Sequence, residues 1–343
     1  MSTSPAGRRA LSRWVAVIAC AAGVAGLLTA VAPAAGATTK QFKGVNWADP
    51  RDNYAADEVV PSGLSKTDGY ATTYAKASAV IGEFAAELGA NTVRLPINPA
   101  TVNGAFWHSY TGAIDAATAK GFKVILAYWE SPVPAKDGRI DDADAFHRMW
   151  SRVTSRYARH GSVYFEPMNE PFGYSSQEWR DVAADWLATF PRVRRDRVFI
   201  GGVKYSEDVK PVCADRRLDG TYLALHQYGF WHQDWTRPEQ WAADLRDRIG
   251  TCASRTVLDE FGASMTTGLD YNGPVDGSNE IAYIQAVTDT LRELGMGSVY
   301  WPGLRTGDTY SLTTLHGTGA DLSLTVTNRS GLDRLRWGWG RGR

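Results

Sequence analysis

From Gln41 onward the chain alternates two kinds of segment: short apolar runs rich in β-branched and aromatic residues, and longer stretches whose apolar positions recur three and four residues apart. The first kind reads as strands and the second as amphipathic helices, the pattern of parallel strands joined by crossover helices. Strands are predicted at Phe42–Trp47, Thr92–Pro96, Lys123–Tyr128, Val163–Met168, Arg197–Gly201, Tyr222–Gln227, Thr256–Glu260 and Ser298–Trp301. Helices are predicted at Tyr74–Leu88, Ile114–Lys120, Asp142–Arg159, Ser176–Phe190, Pro238–Ile249 and Glu280–Leu294. Gly89, Gly121, Gly250 and Gly295 stand where such helices end, since glycine enters the left-handed conformation at little cost. Eight strands in alternation with helices predict a single α/β domain, a (β/α)8 TIM barrel. Asp308 to Asn328 alternates Thr and Ser with Leu and Val around His316-Gly317-Thr318-Gly319, which predicts a β-hairpin inserted after strand eight.

Ahead of this rhythm, residues 1–37 hold no acid, carry Arg8, Arg9 and Arg13, run apolar from Trp14 to Pro33, and end in Ala35-Gly36-Ala37. That is the composition of a secretory signal cleaved near Ala37, which predicts a secreted protein whose folded domain spans residues 38–343. A retained membrane anchor is the competing reading, but small residues follow the apolar stretch where an anchor usually carries cations. Arg8-Arg9 leaves the export route, general or twin-arginine, open. Loss of the signal also removes Cys20. Cys213 and Cys252 then enter an oxidising compartment, where two cysteines without a CxxC spacing predict a disulfide.

Composition narrows the function. Hydrophobic residues at 44% and charged residues at 22% suit a globular enzyme-sized domain. Lys plus Arg and Asp plus Glu number 37 each, so no basic surplus points to nucleic acid. Neither His nor Cys shows zinc spacing and no glycine-rich phosphate loop follows a strand, so the expectation is no metal and no organic cofactor. The partner expected is a carbohydrate substrate, with no membrane association after signal cleavage and a monomer as the default state. Thirteen Trp supply flat apolar rings that serve a core or a sugar-binding cleft.

In a barrel of this kind the reacting groups stand at the C-terminal strand ends. There the sequence turns polar: Arg94 on strand two, Asn169-Glu170-Pro171 after strand four, His226-Gln227-Tyr228 on strand six, Asp259-Glu260-Phe261-Gly262 on strand seven and Trp301 on strand eight. Glu170 and Glu260 thus face each other across the barrel mouth. Glycoside hydrolysis needs such a pair, one carboxylic acid to protonate the leaving oxygen and one carboxylate to attack the anomeric carbon or activate water.

Arg94, Asn169-Glu170-Pro171, His226-x-Tyr228, Glu260-Phe261-Gly262 and Trp301, in this order, resemble glycoside hydrolase family 5, the cellulase family A of clan A, over most of the segment from Phe42 to Trp301. The resemblance implies that Glu170 is the acid/base and Glu260 the nucleophile of a retaining double displacement, with carboxyl groups about 5 to 5.5 Å apart. It further implies that Arg94 keeps Glu260 ionised, that Asn169 binds the sugar 2-hydroxyl, and that Tyr228 hydrogen-bonds Glu260. His226 is expected to bind a sugar hydroxyl or tune Glu170, and Trp301 to form the floor under the sugar.

The sequence departs from the family on strand three, where a His is usual and this chain reads Tyr128-Trp129-Glu130, so Trp129 or Glu130 is expected to reshape that subsite. Asn46-Trp47 at the end of strand one, Trp107, Trp231 and Trp235 are candidate walls of further subsites. The activity expected is hydrolysis of a β-linked glycan, with a β-glucan or β-mannan endo-hydrolase leading. An exo-acting enzyme on galactosides or arabinosides is the alternative, and an inactive carbohydrate-binding barrel the remote one.

Overall fold

The structure is a computed structural model that describes residues 38–342 except Ala320; the expected export signal at residues 1–37 lies outside the described residues. Strands β1 (Lys43–Trp47), β2 (Thr92–Ile97), β3 (Lys123–Tyr128), β4 (Val163–Glu166), β5 (Phe199–Gly201), β6 (Tyr222–His226), β7 (Thr256–Glu260) and β8 (Gly297–Leu304) form one sheet in the order β4-β3-β2-β1-β8-β7-β6-β5. All the neighbouring pairs are parallel, and a single parallel bridge between Phe165 and Val198 joins β4 to β5 and closes the ring. Around it run α1 (Tyr70–Glu83), α2 (Pro99–Asn103), α3 (Trp107–Ala119), α4 (Ala143–Tyr157), α5 (Ser176–Thr189), α6 (Val203–Ser206), α7 (Lys210–Cys213), α8 (Pro238–Ile249), α9 (Asn279–Leu294) and α10 (Arg329–Gly338). The result is the (β/α)8 barrel expected. The insertion after β8 is an antiparallel hairpin of β9 (Thr313–His316) and β10 (Ser323–Val326), with Leu315 opposite Leu324.

The elements follow local chemistry. Asp142, Ser278 and Asn328 accept backbone N–H bonds at the starts of α4, α9 and α10, and Ser175 with Glu178 closes a capping box at α5. Gly89 and Gly295 end their helical segments in the left-handed conformation. Several boundaries shift from expectation. Helix α3 begins at Trp107 rather than Ile114, because Trp107 and Tyr110 continue its buried stripe. Strand β4 stops at Glu166, and Arg195–Arg197 is a 3-10 turn ahead of β5.

The barrel interior is layered. At its base Phe42 packs edge-on against Tyr164, Phe199 and Tyr222 with centroids 5.1, 5.1 and 5.0 Å away, making an apolar plug. A larger cluster, which includes Val93, Phe84, Trp150, Trp179 and Trp241, fills the space between strands and helices. Above the plug the interior becomes polar, and that layer supports the site.

Cys213 at the end of α7 is bonded to Cys252 in the turn before β7, with Cα atoms 6.4 Å apart and a sequence separation of 39. Closing a loop of this length stabilises a fold by about 3 to 4 kcal/mol in the chain-entropy account. Reduction is therefore expected to lower the melting temperature by several degrees in calorimetry; an unchanged transition would mean that the bridge adds no stability.

Candidate active site

Arg94 stands at the centre of the polar layer, with only 1% of its surface exposed. All its donors are used. Nε and Nη2 donate to the two oxygens of Glu166 at 2.7 and 2.6 Å, Nη2 also to Asn169 Oδ1 at 2.6 Å, and Nη1 to Asn46 Oδ1 at 3.0 Å and Glu260 Oε2 at 2.9 Å. A guanidinium has five N–H groups in a fixed fork, so this set saturates it and fixes its plane. Asp259 Oδ2 lies 3.8 Å from Nε as a further charge neighbour. Burial alone would lower the Arg94 pKa, but Glu166, Asp259 and Glu260 outweigh it and raise it, so the cation is permanent.

Glu260 ends β7 with its carboxylate held from two sides, by Arg94 on Oε2 and by the Tyr228 hydroxyl on Oε1 at 2.7 Å. Burial, with Glu260 beside it, pushes the Tyr228 hydroxyl well above its ordinary range, so it stays a proton donor. The following loop explains the glycine of the Glu260-Phe261-Gly262 motif: a Cβ on Gly262 would sit 2.1 Å from the Trp301 carbonyl oxygen.

Glu170 follows β4 with φ at 50°, a left-handed conformation unusual for a residue with a side chain, and such strain concentrates at functional positions. Its Oε1 lies 3.0 Å from His226 Nδ1, and Glu260 Oε1 lies 3.8 Å from the same nitrogen. One oxygen from each glutamate and the imidazole fall within 4.8 Å of one another. His226 is fully buried, and its Nε2 points toward Asp259 Oδ1 at 3.6 Å. Burial would lower the His226 pKa, but Glu260, the bond to Glu170 and Asp259 overcome this and raise it to about 9. Asp259 responds in the opposite sense: burial and the Glu166 charge, only partly offset by Arg94 and His226, push it well above the carboxylate range.

Above these groups opens a cavity of about 480 Å³ with Glu170, Glu260, Tyr228 and Trp301 on its wall. Trp231, Phe230 and Tyr205 add aromatic surface on one side, while Asp52, Arg305 and Asp308 add charge. Trp129 packs under Trp301 with centroids 5.3 Å apart and backs that ring rather than lining the cavity.

Other expected positions lie elsewhere. Trp47 is fully buried in the outer core, edge-on to Phe84, with its Nε1 donating to the Ser62 carbonyl, so it forms no subsite wall. Glu130 is also buried and accepts the Asp137 and Gly138 N–H groups at 2.6 and 2.9 Å; it fixes the loop between β3 and α4 instead of facing a sugar. Trp107 belongs to the core, and Trp235 stacks on His232 at 3.8 Å away from the cavity wall. Three members of the charged layer carry no role in the sequence reading: Glu166, Asp259, quoted only as part of the polar end of strand seven, and Asn46, expected at a subsite wall but instead accepting from Arg94. Two of these had a visible signal: Glu166 and Asp259 are carboxylates inside otherwise apolar strands.

Three groups of acidic and imidazole side chains among the described residues cluster as metal donors would: Glu166, His226 and Asp259; Glu170, His226 and Glu260; and Glu130, Asp137 and Asp141. In the first two Arg94 and the raised imidazole already provide the positive charge. In the third Glu130 is engaged by backbone donors. The chemistry on offer is therefore proton transfer and attack by carboxylates.

Residues 53–303 match the cellulase family, glycosyl hydrolase family 5. No curated protein sequence matches the chain. Among solved structures the fold is similar to the catalytic domain of the major endoglucanase from Xanthomonas campestris pv. campestris, with TM-score 0.63 and 18% identity over 88% of this chain and 95% of that one. It is also similar to an endocellulase from Pyrococcus horikoshii solved with cellotetraose, with TM-score 0.62 and 14% identity over 87% and 92%. The endoglucanase from Thermotoga maritima gives TM-score 0.57 and 14% identity over 80% and 93%. With the matched segment running from the loop after β1 into the last barrel strand, the chain belongs to the cellulase family, glycosyl hydrolase family 5.

Proposed function

We propose that the protein is a secreted retaining glycoside hydrolase of β-linked glycans, with Glu260 as nucleophile and Glu170 as acid and base. The observation that carries this reading is the placement of the two carboxylates, one oxygen of each within 4.8 Å at the mouth of the barrel. Retaining enzymes hold the pair about 5 to 5.5 Å apart, whereas inverting enzymes leave about 6.5 to 9.5 Å for a water. In the first step a Glu260 oxygen bonds to the anomeric carbon as the glycosidic C–O bond breaks and the leaving oxygen takes a proton from Glu170. Water then attacks the same carbon, gives its proton to Glu170 and releases Glu260.

The surroundings support these roles. Arg94 and Tyr228 stabilise the charge on Glu260 before attack and align it by two hydrogen bonds. His226 Nδ1 lies 3.0 Å from Glu170 Oε1 and orients that carboxyl at the acid side of the cavity. We assign Asn169, oriented by Arg94, to the sugar 2-hydroxyl, and Trp301, on the cavity wall, to the C–H face of the ring. The similar folds are an endocellulase and endoglucanases, which makes β-glucans the first substrates to test, followed by β-mannans.

Glu260→Ala is expected to abolish turnover of aryl β-glycosides, with azide restoring cleavage of activated substrates and giving the inverted glycosyl azide. Glu170→Ala is expected to reduce rates by about 10²- to 10⁴-fold on substrates with poor leaving groups and far less on those with good ones. Steady-state kinetics across a leaving-group series checks both; full activity of the Glu260 variant would remove the nucleophile assignment, and equal losses in the Glu170 series would remove the acid.

The raised His226 pKa has a consequence for stability. Between 6.5, its ordinary value, and about 9 the folded chain binds a proton that the unfolded chain releases. The stabilisation is complete below pH 6.5 and is lost as pH rises through about 9. Denaturant unfolding at pH 6, 7.5 and 9 is expected to show this decline, on the order of 2 to 3 kcal/mol, and His226→Gln is expected to flatten it. Parallel pH dependences in the two proteins would contradict the imidazolium.

A further inference from the structure

Asp52 is the one acid of the loop after β1 that lines the active-site cavity, and its chemistry there is incomplete. It opens a 3-10 turn, Asp52–Tyr54, with φ at 58°, a left-handed backbone held without glycine. Its N–H is tied to the Asp49 carbonyl at 2.9 Å, which fixes the turn. The carboxylate is less well served. Arg305 Nη1 comes only to 3.4 Å of Oδ2, and Oδ1 is buried with no hydrogen-bond partner. Arg305 makes its closer bond elsewhere, to Asp308 at 2.8 Å, so it does not saturate Asp52.

A buried carboxylate with empty lone pairs is costly unless a donor arrives. Burial accordingly raises the Asp52 pKa to about 6; Arg305 and Lys136 oppose the shift, and Glu260 and Glu170 reinforce it. Arg305, the nearest cation, is drawn instead to Asp308, which also accepts the Tyr310 N–H at 2.8 Å. The cavity that Asp52 lines offers a source of donors, and in a glycan cleft hydroxyl groups supply them.

We infer that Asp52, held by its strained turn and by Arg305, accepts hydroxyl hydrogens from a sugar unit next to the one being cleaved, and so selects substrates of two or more units. This rests on the retaining glycosidase reading above. Glu170, Glu260, Tyr228 and Trp301 surround the reacting ring, while Asp52, with Arg305 and Asp308, forms the charged part of the same cavity wall. A cavity of about 480 Å³ exceeds a single pyranose, leaving room for that second unit. Asp52 is a binding residue in this account, with no bond made or broken at its oxygens.

The test compares aryl β-monoglycosides with the matching aryl β-diglycosides, using Asp52→Gly and Asp52→Asn. Glycine adopts φ of 58° without strain, so the turn survives while the acceptor is lost; melting temperature confirms the fold. The expected result is a fall in kcat/KM on the diglycoside about 10- to 100-fold greater than on the monoglycoside, carried mainly by KM, with the Asn variant between Gly and the parent. Equal effects on both substrates, or none, would overturn the assignment. A separate arm titrates the uncleaving Glu260→Ala protein, with and without Asp52→Gly, with cellobiose, mannobiose and laminaribiose. Weaker binding on loss of Asp52 supports the site whatever the fate of the nucleophile assignment, and unchanged or undetectable binding for all three removes it. Full activity of Glu260→Ala, by contrast, would defeat the underlying reading while leaving the binding comparison to decide Asp52.

Discussion

A permanently charged guanidinium with 1% exposure dictates the rest of the barrel mouth. Removing such a cation from water costs several kcal/mol even after relaxation, so Arg94 is tenable only with every donor engaged and compensating charge close by. Glu166 supplies a bidentate partner from β4, Glu260 a second carboxylate from β7, and Asn46 and Asn169 neutral oxygens from β1 and the loop after β4. Four separate chain segments are thereby tied to one planar group on β2. Taking out one member would leave a buried charge unpaired, a change that costs about 3 to 5 kcal/mol where it has been measured in other proteins.

The same anchor divides the site into two electrostatic halves. Glu260 sits on the Arg94 side, with a tyrosine hydroxyl as its second donor. Glu170 sits on the His226 side, carried on a left-handed backbone that swings its carboxylate over the imidazole. Asp259 lies beneath both halves, near Arg94 and near His226, where burial favours its neutral form. Two chemically identical side chains thus occupy unlike environments, one facing a guanidinium and a phenol and the other an imidazole.

Much of this architecture is legible in the sequence because parallel strands buried on both faces leave apolar runs that polar residues interrupt visibly. The eight strands were placed to within a few residues at their ends, and Arg94, Asn169, Glu170, His226, Tyr228, Glu260 and Trp301 do meet around one cavity or the charged layer below it. What the pattern does not carry is the direction of a side chain where a strand loses regular pairing. Trp47 closes β1, where the pairing with β8 shifts between Val45 and Trp47, and its ring points to the helix layer. Glu130 follows a strand end, the place from which a side chain reshapes a subsite, yet it accepts from the backbone of its own loop. Asp52 carries no period at all; its position comes from a left-handed turn.

The central proposal is that Glu170 and Glu260 act as a pair in double displacement. Proton NMR of the first sugar released from a cleaved β-glycoside, recorded before mutarotation, tests it most directly. The account predicts that the β-anomer appears first and converts slowly to the equilibrium mixture; initial release of the α-anomer would mean direct attack by water and would contradict it.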